Sequence, residues 1–335
     1  MRRKLVVLTL MALLITVPLM AGCGASAPAG PITLEMITAF PKGTLMVGSA
    51  DYFVNEVNRR AAGKVVFDWK GGPEVIPTFD QPEALIRGVF DINHGVANYY
   101  AGVVPACYVM DLSPYYPSET GPGTETYDYL VKLWEEKGIR YIGEYIGKPD
   151  SGNFYLYTTF RPKSLADLAG KKYRVSPASR HFCEAIGGEP ITMPGGDVYL
   201  ALERGVVDGF IWPFYTGFTE SGWHEVIDYV IDIPIYRDGY MAVMNLDSWN
   251  RLPDDVQDLL LEINIDTQNY WLGFTEAEEA KQERVTKAAG VEFIKFSEAE
   301  NKQFQKISQD VLWAHFKTEL TSEQYTKLRQ LLGYE

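Results

Sequence analysis

Residues 253–289 read PDDVQDLLLEINIDTQNYWLGFTEAEEAKQERVTKAA. Pro253 suits a helix start, and Asp254 and Asp255 suit the positive end of its first turn. From there to Ala289 there is no further Pro, and Gly273 is the one Gly. A continuous helix of that length would run roughly 54 Å. That is too long for one small domain and fits a backbone shared by two. Two helices meeting near Gly273 are the alternative.

The chain on either side fits two α/β domains. Ile32–Ala39, Lys64–Trp69 and Val89–His94 read as strands. Ser49–Arg60 and Phe79–Arg87 read as the helices between them, the order of a largely parallel sheet. Glu125–Lys137 is a helix and Ile139–Glu144 a strand. The pattern then restarts with strands at Asn153–Thr159, Lys172–Val175 and Asp208–Trp212, and helices at Ala178–Ile186 and Val198–Arg204. Gly239–Asn245 reads as one more strand, and Ser297–Thr318 and Ser322–Leu332 as closing helices. No close internal repeat stands out.

The N-terminus is not read as part of the fold. Arg2, Arg3 and Lys4 precede an apolar run, Leu5–Leu19, and then Met20-Ala-Gly-Cys23. A basic start, a short apolar stretch and a small-residue exit make residues 1–22 an export signal. The Ala-Gly-Cys ending resembles a bacterial lipobox, with Met20 in place of the usual Leu. Cys23 is then the lipid-bearing residue and 23–30 a Gly/Ala/Ser/Pro tether. A plain secretory signal is the alternative. No later stretch has the length of a membrane span.

The formal charge of −13 becomes more negative once the signal is removed. An acidic chain argues against nucleic acid as a partner, and it makes an anionic ligand depend on a specific local cation. Cys107 and Cys183 are expected as separate buried thiols rather than a disulfide framework. The many aromatics, 16 Phe, 21 Tyr and 7 Trp, are spread through loops, which hints at an aromatic-lined pocket.

No nucleophile elbow, zinc helix, phosphate loop or dinucleotide fingerprint is present. His94, His181, His224 and His315 have no metal-ligand spacing to another His or Cys. Neither catalysis, a cofactor nor a metal is expected. What is present is an ordered series. Ser164-Leu-Ala-Asp-Leu-Ala-Gly170 reads as a capped helix with a Gly stop, followed by a strand carrying Arg174. Further on come Asp197-Val-Tyr-Leu-Ala-Leu and Gly205-Val-Val-Asp-Gly209. An Arg at the outer end of a strand can offer two parallel N–H bonds to a carboxylate. It can equally pair with a structural Asp.

This series resembles the extracytoplasmic solute-binding subunits of TRAP (tripartite ATP-independent periplasmic) transporters. So do Gly63-Lys-Val-Val-Phe, Gly71-Gly-Pro-Glu74, Ala84-Leu-Ile-Arg-Gly88 with Asp91, and Leu252-Pro-Asp-Asp-Val-Gln. The resemblance implies a two-lobed periplasmic-binding-protein-like fold, each lobe a mixed sheet flanked by helices, with the long helix shared. Lobe I would take residues 31–150 and lobe II 151–238. Residues 239–275 would return to lobe I and enter the long helix, and 276–335 would supply C-terminal helices packing mainly on lobe II. It implies that Arg174 clamps a ligand carboxylate as the lobes close. It also implies a membrane permease as partner, a periplasmic location and a monomer.

Two departures narrow the ligand. Sialic-acid-binding members carry a second Arg where this chain has Phe154, and an Asn where it has Ile211-Trp212-Pro213. A second buried carboxylate would lack a partner. The expected ligand is therefore a monocarboxylate with an apolar or aromatic body, such as a 2-oxo or 2-hydroxy acid. Phe154, Trp212 and Tyr215 would pack on it, with Glu74, Asn98 and Tyr99 facing from the other lobe. Each of these aromatics could instead be ordinary core. A C4-dicarboxylate or sugar-acid binder, a ligand-sensing protein for a signalling partner, and an exported enzyme acting on a carboxylate are the alternatives.

Overall fold

The computed structural model describes residues 30–149, 153–214, 217–237 and 239–334. The export signal, Cys23 and Tyr215 lie outside the described residues. Along the chain, β1 (Ile32–Thr38), α1 (Gly48–Arg60), β2 (Val65–Gly71), α2 (Gln81–Ile86) and β3 (Ile92–Val96) come first. They are followed by α3 (Pro117–Thr120), α4 (Glu125–Glu135), β4 (Ile139–Ile146) and β5 (Phe154–Thr158). Next are β6 (Lys172–Val175), α5 (Pro177–Ala185), β7 (Glu189–Thr192), α6 (Val198–Glu203), β8 (Gly209–Pro213) and β9 (Tyr229–Ile231). The chain closes with β10 (Gly239–Asn245), α7 (Leu246–Asn250), α8 (Asp254–Ala288), β11 (Glu292–Ile294), α9 (Glu298–Glu319) and α10 (Ser322–Leu331).

The strands form two mixed sheets, ordered β2-β1-β3-β10-β4 and β11-β9-β5-β8-β6-β7. β10 runs antiparallel between β3 and β4, and β5 antiparallel between β8 and β9. The chain therefore passes between the sheets twice, from β4 to β5 and from β9 back to β10. The two passages touch. Asn153 bridges Arg237, the Phe154 N–H donates to Tyr236 O at 2.8 Å, and the Ile235 N–H donates to Phe154 O at 2.9 Å. Buried Arg237 donates to the carbonyls of Gly147, Ser113 and Tyr115.

α8 is one helix, unbroken at Gly273. Its buried residues recur at helical spacing and change character along its length. Apolar Val256, Leu260, Ile263 and Trp271 share the first half with polar Asn264, Thr267 and Gln268, and only polar Thr275, Glu278, Gln282 and Thr286 follow. The apolar part packs on the first sheet, where Trp271 meets Tyr240 edge-on at 5.4 Å. The polar part grips the turn after β8. Gln282 accepts from the Thr219 N–H at 2.8 Å and donates to Glu220 at 2.9 Å. α9 lies on α5 through Phe304 and Phe182, and Lys327 of α10 pairs with Glu125 of α4.

The expected strand at Val89–His94 begins later, at Ile92. Val89 belongs to the preceding turn, where its N–H bonds Ala84 O at 3.0 Å and Gly88 takes φ 69°. β7, β9 and β11 were not anticipated. They are three or four residues long, and β7 and β11 are edge strands, so they carry little alternation. Cys107 and Cys183 are both free and buried.

The structure also corrects the reading that no repeat exists. Ala84-Leu-Ile-Arg-Gly-Val-Phe-Asp91 joins α2 to β3, and Ala201-Leu-Glu-Arg-Gly-Val-Val-Asp208 joins α6 to β8. Gly88 and Gly205 take φ 69° and 65°. Val206 N–H bonds Ala201 O at 2.8 Å, as Val89 bonds Ala84. The Asp91 carboxylate accepts from Glu35 N–H at the neighbouring strand, and Asp208 accepts from Lys172 N–H, both at 2.8 Å. The order β1-α1-β2-α2-β3 of the first sheet thus recurs as β6-α5-β7-α6-β8 in the second.

Two glycines test this description. Gly273 is exposed in a helix interior with open space around it. Gly273→Ala is expected to stabilise the protein by roughly 0.5–1 kcal/mol. At Gly209 a Cβ would stand 2.2 Å from Tyr157 O of the adjoining strand. Gly209→Ala is expected to cost roughly 2 kcal/mol or more. Urea unfolding midpoints check both.

Candidate functional site

β6 lies between β7 and β8, with backbone partners on both sides. Asp167 accepts from the N–H groups of Lys163 and Ser164, which seats the short turn before β6. Gly170, at φ 69°, then turns the chain into the strand. Arg174 sits one residue from the strand's end and is 0% exposed. Its Nε donates to Met193 O at 3.0 Å and its Nη1 to Ile211 O at 3.3 Å. The guanidinium lies over the Trp212 ring, 4.9 Å from its centroid. Nη2 has no hydrogen-bond partner among the described residues, and no carboxylate there forms an ion pair with Arg174. Burial holds the group below the ordinary arginine value, with the nearby Tyr99 hydroxyl working the other way. A buried cation without a counter-charge is costly. It is also a ready donor to an anion.

Arg174 lines a cavity between the sheets. Phe40, Val96, Asn98, Tyr99, Gly239 and Tyr240 come from the first sheet and its loops. Phe154, Ser176, Trp212 and Pro213 come from the second. Most of these stand at or just beyond the carboxyl ends of β1, β3, β6 and β8, the place where open α/β sheets bind ligands. Among the described residues Arg174 is the one cation in the lining, and no Asp, Glu, His, Lys or Cys of that set joins it. Phe40 ties the walls together, meeting Trp212 at 6.0 Å, Tyr240 at 5.8 Å and Tyr99 at 6.4 Å. Behind the first-sheet wall, buried His94 stacks on Tyr240 and Tyr145 and bonds Ser49 Oγ at 3.0 Å. Burial lowers its pKa to about 3.

Of the residues singled out in the sequence, Arg174, Phe154, Trp212, Asn98 and Tyr99 meet in this cavity. Glu74 does not. It is exposed, and its carboxylate accepts from the Gly72 N–H at 2.8 Å within its own turn. The Gly71-Gly-Pro-Glu74 motif supports the wall indirectly. A Cβ at Gly72 would fall 2.5 Å from Phe40 O, so the glycine lets this turn press on the Phe40 backbone. Sequence reasoning missed Phe40, Val96, Ser176, Pro213, Gly239 and Tyr240. Phe40 directly follows the stretch read as the first strand, so the carboxyl-end rule could have found it.

Two mixed α/β sheets facing one cavity, with a lone buried guanidinium in it, define a cleft-type solute-binding protein. Residues 36–319 match DctP, the bacterial extracellular solute-binding protein family 7, and the chain belongs to that family. It is thus a bacterial extracellular solute-binding protein by family. A monocarboxylate 2-oxoacid-binding periplasmic protein of Nostoc sp. is 23% identical over 288 residues, which cover 83% of this chain and 77% of that one. A TRAP periplasmic solute-binding protein of Desulfovibrio salexigens, solved with orotic acid, shares the fold at TM-score 0.77. It is 19% identical and covers 90% of this chain and 97% of its own. One of Ralstonia eutropha, solved with (S)-2-acetolactate, gives TM-score 0.76 at 18% identity, covering 90% and 98%.

His94 supplies a pH test of the wall. Its folded pKa lies below the unfolded value, so its neutral form stabilises the fold fully above about pH 6.5. That contribution is lost as pH falls from there toward 3, by up to about 1.4 kcal/mol per pH unit. The melting temperature should drop more steeply between pH 7 and pH 4 in the wild type than in His94→Gln.

Proposed function

We propose that this chain captures a small organic monocarboxylate with an apolar or aromatic body, a 2-oxo or 2-hydroxy acid, and delivers it to a membrane permease. The ligand carboxylate docks on Arg174, and the two lobes close over it about the two passages that join the sheets, from β4 to β5 and from β9 to β10. Phe154 and Trp212 pack on the ligand body, with Phe40, Tyr99 and Tyr240 facing them. The observation that carries the reading is the buried Arg174 guanidinium, with Nη2 unpartnered among the described residues, in a cavity lined by aromatics and no second cation. A dianion would bring one carboxylate without a partner. The name of the Nostoc relative, a monocarboxylate 2-oxoacid binder, agrees with this choice. Other relatives are named for a C4-dicarboxylate and for 2,3-diketo-L-gulonate, so those classes are the rivals to test. We further propose that the protein acts as a monomer held to the membrane by a lipid on Cys23.

Calorimetric titration with pyruvate, 4-methyl-2-oxopentanoate, phenylpyruvate, succinate and galacturonate tests the ligand class. Binding of the 2-oxo monocarboxylates is expected. Tight binding of succinate or galacturonate with none of the monocarboxylates overturns it. Arg174→Ala should weaken binding by roughly 2–3 kcal/mol or more while the circular dichroism spectrum stays unchanged. A folded variant that binds like the wild type removes the clamp role. Cys23→Ser should shift the protein from the membrane to the soluble fraction of cells, and unchanged fractionation argues against the anchor.

A further inference from the structure

Gly195 opens a short 3-10 turn, Gly195–Asp197, between β7 and α6. It is absent from the glycines at positive φ, so its backbone is open to any residue. What it provides is room. A Cβ there would stand 2.7 Å from Trp212 Cη2 and 3.1 Å from Cζ3, and 3.6 Å from Phe40 Cε1. The next residue, Gly196, meets nothing within 4 Å. The space that a side chain at 195 would fill is the space taken by the far end of the Trp212 ring.

That ring has few places to go. Trp223 packs edge-on against it at 4.9 Å, the Arg174 guanidinium covers it at 4.9 Å, and Phe40 meets it at 6.0 Å. Trp212, Arg174 and Phe40 all line the cavity, whereas Gly195 does not. A ring pushed off Gly195 therefore moves toward the cavity or presses on another of its walls. We infer that Gly195 and Trp212 form the size filter of the site: the missing Cβ at 195 lets the indole lie back, and its position sets the length of ligand tail the cavity admits. This rests on the reading of the site as one for a 2-oxo monocarboxylate.

The readout is a ratio of affinities, that for 4-methyl-2-oxopentanoate over that for pyruvate. Calorimetry on wild type, Gly195→Ala, Trp212→Phe and the double variant supplies it. Gly195→Ala should lower the ratio by about tenfold, the scale of a misplaced methylene or two in an apolar pocket. Trp212→Phe lacks the ring atoms that Cβ would strike, so alone it should raise the ratio, and Gly195→Ala added to it should leave that raised value unchanged. A ring that merely supports Arg174 would change both affinities together and leave the ratio unmoved. An unchanged ratio in Gly195→Ala, or a double variant whose ratio falls below that of Trp212→Phe, overturns the filter. If Gly195→Ala does not fold, an unchanged ratio in Trp212→Phe does the same. A wild-type protein that binds neither acid overturns the ligand class instead, whatever the variants show.

Discussion

The site depends on a cation that the fold buries with no ion-paired carboxylate among the described residues. Arg174 has two backbone carbonyls and the face of an indole around it, and together these fix its position without neutralising its charge. Carbonyl dipoles and a ring quadrupole offset part of the cost of burial. The remainder is what an anion would recover. A structural Asp in the same place would have made a stable ion pair and a dead site. The acidic composition of the chain sharpens this. With so many carboxylates on the molecule, keeping them away from one guanidinium is a property of the fold rather than of chance.

The rest of the architecture holds two walls at the right distance from that cation. The passages between the sheets bond to each other through Phe154, Ile235 and Tyr236, and Arg237 donates to the carbonyls of Gly147, Ser113 and Tyr115. α8 changes its buried face from mixed to wholly polar where it leaves the first sheet, which matches its two tasks. Van der Waals packing and a buried hydrogen bond from Gln268 to Glu144 O anchor its first half, and hydrogen bonds to and from Gln282 catch a turn of the second sheet. Glycines at 72 and 195 act at a distance from the cation by letting other groups approach. One admits the Phe40 backbone and the other the Trp212 ring.

Much of this was legible before the structure. The long helix shows in a run without Pro, and β10 was read with the bounds it has. Arg174 was placed on its strand because a capped turn and a Gly precede it. What escaped reading did so for physical reasons. Val89 is apolar but exposed in a turn, so hydrophobicity pulled the strand too early. Glu74 sits in a motif shared with relatives, but it serves its own turn and not the cavity. Phe40 and Tyr240 approach Arg174 only because two sheets meet, and nothing local in either segment announces a partner from the opposite sheet. Short edge strands such as β7 and β11 pair along only one side, and their few residues leave no periodic trace.

The matching connections at 84–91 and 201–208 bear on the protein's history. Buried Ala and Leu and half-buried Asp at like positions are explained by packing and by the neighbouring-strand N–H that each Asp accepts from. The Arg-Gly-Val at the centre of each is exposed. The glycine answers a left-handed turn, but no contact dictates the Arg or the Val. Identity at positions free to drift is what descent from one ancestral half would leave. On that view the cleft began as the seam between two copies of a single unit, and Arg174 is where one copy diverged: by the pairing of Asp91 with Glu35 and of Asp208 with Lys172, its counterpart in the other is Ile37.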